Sequence, residues 1–123
     1  MLENALVKAA AEWLADKKAE RIKIYHIEKN SGYTDYAIVC EASADLHVRA
    51  VANHVIDNVK LLGMPLLSKE GIEFAHWSLI DLGEVIIHVF LPQTREYYHI
   101  DELFSRLSSD PAETVFSDPG HDS

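Results

Sequence analysis

Apolar residues recur at helical spacing in two parts of the chain. Residues 2–20 place Leu, Ala and Trp three or four positions apart with charged residues between them, which predicts an amphipathic helix. The pattern returns from Ser43 to about residue 62. Ser43 has the hydroxyl typical of a helix N-cap, and Gly63 and Pro65 are stop signals. The sequence therefore predicts two long helices.

Shorter apolar runs predict strands between and after these helices. Strands are predicted over residues 21–28, 34–41, 77–81 and 84–91. Turns are predicted at residues 29–32 and at Leu82-Gly83. The near-continuous apolar centre of residues 34–41 indicates a strand buried on both faces.

Beyond these strands the composition changes twice. Pro92 is predicted to end the last strand, and residues 96–107 are predicted to form a C-terminal helix. From Ser108 the chain is rich in Ser, Asp, Pro and Gly, which predicts a disordered acidic tail over 108–123. The elements within 1–107 predict a single α/β (α+β) domain with a mixed β-sheet flanked by helices. Residues 66–76 are assigned to no element.

Alternation along residues 77–90 separates two faces of the predicted hairpin. One face carries Val85, Ile87 and Val89, which are predicted to point into the core. The other face carries Ile86, His88 and Phe90, with Trp77, Leu79 and Asp81 alongside. If uncovered, this second face would be an apolar patch with polar groups, which is typical of a binding surface. The alternative is that a helix covers it.

Composition narrows the possible partners. The 123 residues carry a formal net charge of −9, which repels phosphate backbones and favours a basic partner. The alternative is that the acidity only provides solubility. No apolar run approaches the roughly 20 residues that a membrane-spanning helix needs. The absence of a leader pattern and the single cysteine predict a cytoplasmic, reducing location.

Enzymatic chemistry is poorly supported by the residues. Nucleotidyl transfer needs paired carboxylates for Mg²⁺, but Asp35 is followed two positions later by Ala37. The seven histidines show no metal-ligand spacing, and Cys40 lies in an apolar run where a thiol stays protonated. We therefore expect no catalytic residues, no metal and no cofactor.

A set of longer motifs resembles one known family. They are Thr34-Asp35-Tyr36, Ser43 with the following HVRAVA, Glu70-Gly71, Trp77 with LIDLG, VIIHVF at 85–90, Pro92 and REYY at 95–98. In these motifs the chain resembles the ribosomal silencing factor family (RsfS, or Iojap-like) over residues 3–107. It departs from the family at Leu82 and Phe104, where an aromatic residue and a tryptophan are frequent.

The resemblance implies a fold and a function. The fold would have a topology similar to that of nucleotidyltransferases, without their catalytic carboxylate pair. The protein would bind the large ribosomal subunit through ribosomal protein L-fourteen, block association with the small subunit and so repress translation. It would be a non-enzymatic bacterial protein, a monomer or weak homodimer, with no sequence-specific binding to nucleic acid. The alternatives are a large-subunit biogenesis factor and a divergent nucleotidyltransferase.

The resemblance also implies a set of partner-binding residues. Trp77, Leu82 and Tyr98 are expected to be apolar anchors. Glu70, Asp81 and Glu84 are expected to meet Lys or Arg of the partner. His88 belongs to the same set, with a hydrogen-bonded structural role favoured over a pH switch. Arg95, Asp35 and Tyr97 are expected to support the surface, with Arg95 paired to Asp35 or Asp81.

Overall fold

The computed structural model describes residues 4–27 and 34–115. Its elements in chain order are α1 (Ala5–Asp16), β1 (Glu20–His26), β2 (Tyr36–Glu41), α2 (Asp45–Leu61), β3 (Ser68–Glu70), β4 (Trp77–Asp81), β5 (Val85–Phe90), α3 (Pro92–Tyr98), α4 (Ile100–Leu107) and β6 (Glu113–Val115). The predicted turn at 29–32 lies outside the described residues.

A six-stranded mixed sheet organises these elements. The strand order is β3-β4-β5-β2-β1-β6. The central strands β2 and β5 pair in parallel, and every other neighbouring pair in this sheet is antiparallel. The prediction of a single α+β domain with a mixed sheet flanked by helices is confirmed.

Apolar side chains cover both faces of the central strands. On one face, α1 and α2 pack on the sheet and enclose the larger core cluster, which includes Leu14, Val51 and Ile87. On the other face, Ile100 and Phe104 of α4 pack on Phe90 and on residues of β1 and β2. The second face of the hairpin was predicted to be either an uncovered patch or covered by a helix. A helix covers part of it.

The helix starts follow local capping chemistry, with one correction. The Asn4 side-chain oxygen accepts hydrogen bonds from the backbone N–H groups of Leu6 and Val7 and so caps α1. The prediction that Ser43 is the N-cap of α2 is wrong, because Ala44 holds that position. The Ser43 backbone N–H instead donates to Nδ1 of His47 at 3.1 Å.

The C-terminal helical region also differs from its prediction. Pro92 is the first residue of α3, where a fixed φ and a missing N–H suit a helix start. His99, with φ of 53°, adopts a left-handed conformation that separates α3 from α4. The single helix predicted over 96–107 is therefore two short helices.

The fold continues past the predicted domain end at residue 107. Ser108 bridges to Ile27, and β6 pairs antiparallel with β1, with Val115 opposite Ile22. The expectation of a disordered tail from Ser108 is wrong as far as residue 115, and residues 116–123 lie outside the described residues. The polar composition of this segment did not indicate a strand, although β6 forms one edge of the sheet.

A close backbone approach fixes the connection between β3 and β4. Gly71 has φ of 72°, and a Cβ added there would lie 2.2 Å from the Trp77 carbonyl oxygen. Gly63 also has a positive φ, of 67°, but an added Cβ would meet nothing within 4 Å. A side chain at Gly63 would therefore meet only the cost of the left-handed backbone, whereas one at Gly71 would also clash with the Trp77 carbonyl group.

Substituting each glycine with alanine measures these two effects. Gly63→Ala should lower the free energy of unfolding by about 1 kcal/mol through the left-handed backbone alone. Gly71→Ala should lower it by at least about 2 kcal/mol, because the backbone must also move away from Trp77. Urea denaturation of both variants measures the difference. Equal losses would contradict the close approach at Gly71.

Candidate functional site

The register of β4 and β5 sets which side chains share a face of the sheet. Trp77 pairs with Phe90, Leu79 with His88 and Asp81 with Ile86. Directly paired residues point to the same side of a sheet. The predicted grouping of these six residues on one face is confirmed.

The C-terminal helices cover only part of this face. Phe90 and His88 are buried, and the His88 and Phe104 rings lie 5.3 Å apart. Four residues of the same face remain half-buried, and Glu70 of β3, paired with Leu79, is exposed at its edge. We call this set the open face: Glu70, Trp77, Leu79, Asp81 and Ile86.

Trp77 is held rigidly at the boundary between the open face and the covered part. Its ring stacks on Phe90 with centroids 4.8 Å apart, and the Tyr98 ring lies 5.2 Å away. Its indole Nε1–H donates to Nδ1 of His88 at 3.1 Å. This fixed orientation suits an apolar anchor, since little conformational freedom is left to lose on binding.

His88 supports Trp77 from within the fold. Because indole nitrogen only donates, Nδ1 of His88 must be unprotonated and accept. Burial lowers the pKa of His88 to about 4, which keeps the ring neutral at neutral pH. The favoured structural role of His88 agrees with this geometry. Its inclusion among residues that contact a partner is wrong, since it is only 3% exposed.

Two tyrosines extend the aromatic surface beside Trp77. Tyr97 and Tyr98 of α3 are both exposed, with their rings in edge-to-face contact at 5.0 Å. A cleft of about 470 Å³ lies between α3 and the start of β4. It is lined by His76, Trp77, Gln93, Thr94, Tyr97 and Tyr98. The structure thus brings Trp77 and Tyr98, two of the three expected anchors, into one surface.

The third expected anchor and one acidic residue lie elsewhere. Leu82 is buried as part of the larger core cluster, so its prediction as an apolar anchor for a partner is wrong. Glu84 is exposed, but its carboxylate accepts a hydrogen bond from the Asn4 side chain at the start of α1. The Glu84 side chain therefore contacts the α1 layer instead of the open face.

Asp81 has a structural contact as well as a place on the open face. Its Oδ1 accepts a hydrogen bond from the Gly83 backbone N–H at 2.9 Å. This contact closes the tight turn between β4 and β5 in the manner of an Asx turn. The side chain is half-buried and directed by that bond.

Arg95 pairs with residues other than the predicted ones. Its guanidinium donates to both carboxylate oxygens of Asp101, at 2.7 and 2.9 Å, and to Glu41 at 3.2 Å. The predicted pairing with Asp35 or Asp81 is wrong. Asp35 is exposed, and its described contact is a backbone one, in which its carbonyl oxygen accepts from Ile27.

The described residues offer little for covalent or metal chemistry. Burial raises the pKa of the Cys40 thiol to about 12, so it stays protonated and a poor nucleophile. Within residues 4–27 and 34–115, no three His, Cys, Asp or Glu side chains come together as metal ligands. No helix in the same part of the chain is both long and apolar enough to span a bilayer.

The pKa of His88 predicts an acid sensitivity of the fold. The unfolded chain binds a proton at His88 near pH 6.5, whereas the folded chain binds it only near pH 4. Folding stability from this group is therefore complete above about pH 6.5 and is lost as the pH falls towards 4, by on the order of 3 kcal/mol. Urea denaturation at several pH values measures the loss.

His88→Gln is the matched variant for this prediction. Glutamine can still accept the Trp77 hydrogen bond but does not titrate. The stability of this variant should fall less steeply between pH 6.5 and 4 than that of the unmodified protein. Identical slopes would show that other groups cause the acid sensitivity.

Comparisons with known proteins agree with this architecture. The family described as "Ribosomal silencing factor during starvation" matches residues 2–121. A Bacillus subtilis protein named ribosomal silencing factor RsfS is 35% identical over 104 residues, covering 85% of this chain and 88% of that protein. A crystal structure of a Chromobacterium violaceum protein superposes with a TM-score of 0.80 at 31% identity, covering 97% of this chain and 98% of that one.

A more distant relative has a name that refers to ribosome assembly. The mouse protein named "Mitochondrial assembly of ribosomal large subunit protein 1" is 27% identical over 100 residues, which cover 79% of this chain and 44% of that protein. The family match spans nearly the whole sequence, and the bacterial relatives agree with it along most of their length. The chain belongs to the ribosomal silencing factor family.

Proposed function

We propose that this protein binds the large ribosomal subunit through a basic ribosomal protein, L-fourteen, and blocks association with the small subunit. The observation that carries the proposal is the open face with its fixed Trp77. An apolar anchor with carboxylates beside it on the same sheet face is the arrangement expected where a basic protein docks.

Charge supports a protein partner over RNA. The formal net charge of −9 repels the phosphates of rRNA. Asp81 and Glu70 on the open face can attract Lys or Arg of a ribosomal protein while the rest of the acidic surface avoids RNA. This combination favours docking on a basic protein patch.

The mechanism that we propose requires no catalysis. A bound body at the subunit interface blocks joining by occupying space, and the protein would do this in the bacterial cytoplasm as a monomer or weak homodimer. Position 37, where a second metal-binding carboxylate would be needed beside Asp35, is a buried alanine. This difference supports a non-enzymatic role over nucleotidyl transfer.

A second candidate function is a role in large-subunit biogenesis. It is favoured by the name of the mouse relative, which refers to assembly of the large ribosomal subunit. Both functions would use the same docking on the large subunit. They differ in whether bound protein prevents small subunits from joining.

A charge reversal on the open face tests the proposed docking. Asp81→Lys should weaken binding to isolated large subunits by at least about tenfold, because a cation would then face a basic partner. Affinity is measured by cosedimentation at several protein concentrations. Asp81→Asn keeps an oxygen that can accept the Gly83 hydrogen bond and should weaken binding less.

The matched control is Asp57→Lys. Asp57 is exposed on α2, on the opposite side of the sheet, and the substitution changes the net charge by the same amount. Binding by this variant should stay within about twofold of the unmodified protein, since only distant screened charges are altered. An equal loss in Asp57→Lys and Asp81→Lys would show that overall charge, not the open face, governs binding.

A further inference from the structure

The helix that carries both exposed tyrosines is held in an unusual way. All seven residues of α3 are described, and the one buried side chain among them is Arg95, which is 2% exposed. Short helices ordinarily dock through an apolar stripe. The buried side chain of α3, the helix that carries Tyr97 and Tyr98, is thus a guanidinium instead of an apolar group.

That guanidinium joins three other parts of the fold. Its Nε and Nη2 bind the carboxylate of Asp101 on α4 in the forked geometry. Its Nη1 donates to Glu41 at the end of β2 and to the carbonyl oxygen of Arg21 in β1, at 2.9 Å. Arg21 has φ of 50° and lies at a β-bulge between β1 and β2. α3 is thus tied to α4, β2 and β1 at once.

The partners of Arg95 are themselves fixed in place. The Tyr25 hydroxyl donates to Asp101, and Arg21 forms a second ion pair with Glu41. Burial alone would raise the pKa of Asp101, but hydrogen bonds from Arg95 and Tyr25 outweigh it and hold that pKa below its usual range. Tyr25 and Ile100, which flank this cluster, belong to the buried core under α4. The network is therefore rigid on the side away from α3.

Stability alone does not explain such a network. Buried ion pairs often contribute no more to stability than apolar residues of similar volume, because both charges must be desolvated. In some proteins such pairs instead define a geometry, and the planar fork of arginine suits that role better than the ammonium of lysine does. On α3, Tyr98 lies three residues after Arg95, and its ring centroid is 5.2 Å from that of Trp77.

We propose that Arg95 is a positioning residue of the binding surface: through Asp101, Glu41 and the Arg21 carbonyl it fixes α3 so that Tyr98 and Trp77 form one preformed patch. Arg95 itself touches no partner. The inference rests on the proposed function, since it assigns the determinant of affinity within that same surface. It predicts that losing Arg95 weakens binding by misplacing the tyrosines, with the open face of β4 unchanged.

The test compares Arg95→Met with Val51→Ala. Val51 is buried in α2 under the opposite face of the sheet, so its truncation destabilises the fold without contacting α3. If α3 is docked in only about a tenth of Arg95→Met molecules, the apparent affinity for large subunits falls about tenfold. Affinity is measured by cosedimentation at a temperature at which circular dichroism shows both variants to be folded. Val51→Ala should bind within about twofold of the unmodified protein at that temperature.

A second measurement monitors positioning in the isolated protein. The Trp77 and Tyr98 ring centroids are 5.2 Å apart, so nuclear Overhauser effects should connect the two rings. These contacts should disappear in Arg95→Met and persist in Val51→Ala. Arg95→Lys keeps the charge without the fork, so it should restore part of the contact and part of the affinity. If Arg95→Met does not fold, Arg95→Lys replaces it in both measurements.

The outcomes separate this inference from the proposed function. Retained ring contacts with normal affinity in Arg95→Met, or equal affinity losses in Arg95→Met and Val51→Ala, would overturn the positioning role. If the unmodified protein fails to bind large subunits, the proposed function fails instead. The ring contacts then decide alone: their loss in Arg95→Met supports positioning of the patch, and their persistence overturns it.

Discussion

The parallel pairing of β2 with β5 is the constraint on which the other features depend. Both strands are buried along nearly their whole length, so apolar side chains on both faces of the sheet centre must be covered. α1 and α2 supply a broad cover on one face, whereas α4, with eight residues, is the main cover on the other. A short helix cannot cover six strands, and the region over β3 and β4 stays open. The candidate binding surface therefore includes the part of the sheet that α4 leaves uncovered.

Different physical effects stabilise the two elements beside the uncovered part of the sheet, β4 and α3. At the β4 side, Trp77 is held by ring stacking and by a hydrogen bond to a neutral, buried His88. At the helix side, α3 is held by the ion pairs of Arg95 with Asp101 and Glu41. Stacking and a hydrogen bond thus hold Trp77 on the sheet, whereas charged contacts hold the helix that carries Tyr97 and Tyr98. A preformed surface of this kind loses little entropy on binding.

Much of the fold could be predicted from local sequence patterns. Alternation along 77–90 gave the correct face for Trp77, Asp81 and His88, because a strand has a period of two whatever packs on it. The resemblance to a known family, carried by motifs such as those around Trp77 and Arg95, agreed with the family match over residues 2–121. Local pattern and family motif were sufficient for the fold class, the two long helices and the strands of the central sheet.

The rest depends on contacts between residues distant in sequence. Leu82 lies in a turn, and nothing in its sequence neighbourhood indicates that it belongs to the buried core. The partners of Arg95 lie on β2 and α4, and Glu41 is 54 positions away, so spacing could not identify it. Strand β6 was missed because three residues in a polar segment carry too weak a pattern, and it is pairing with β1 that orders them. Tertiary packing decided each of these cases.

An order-of-addition experiment on subunit joining tests the central claim most directly. Isolated large subunits are mixed with the purified protein before small subunits are added, and sucrose gradients then resolve free subunits from whole ribosomes. Occlusion predicts that the whole-ribosome peak shrinks as the protein concentration rises, with the protein sedimenting in the large-subunit peak. An unchanged whole-ribosome peak, with the protein bound to large subunits, would contradict occlusion and favour a role in biogenesis.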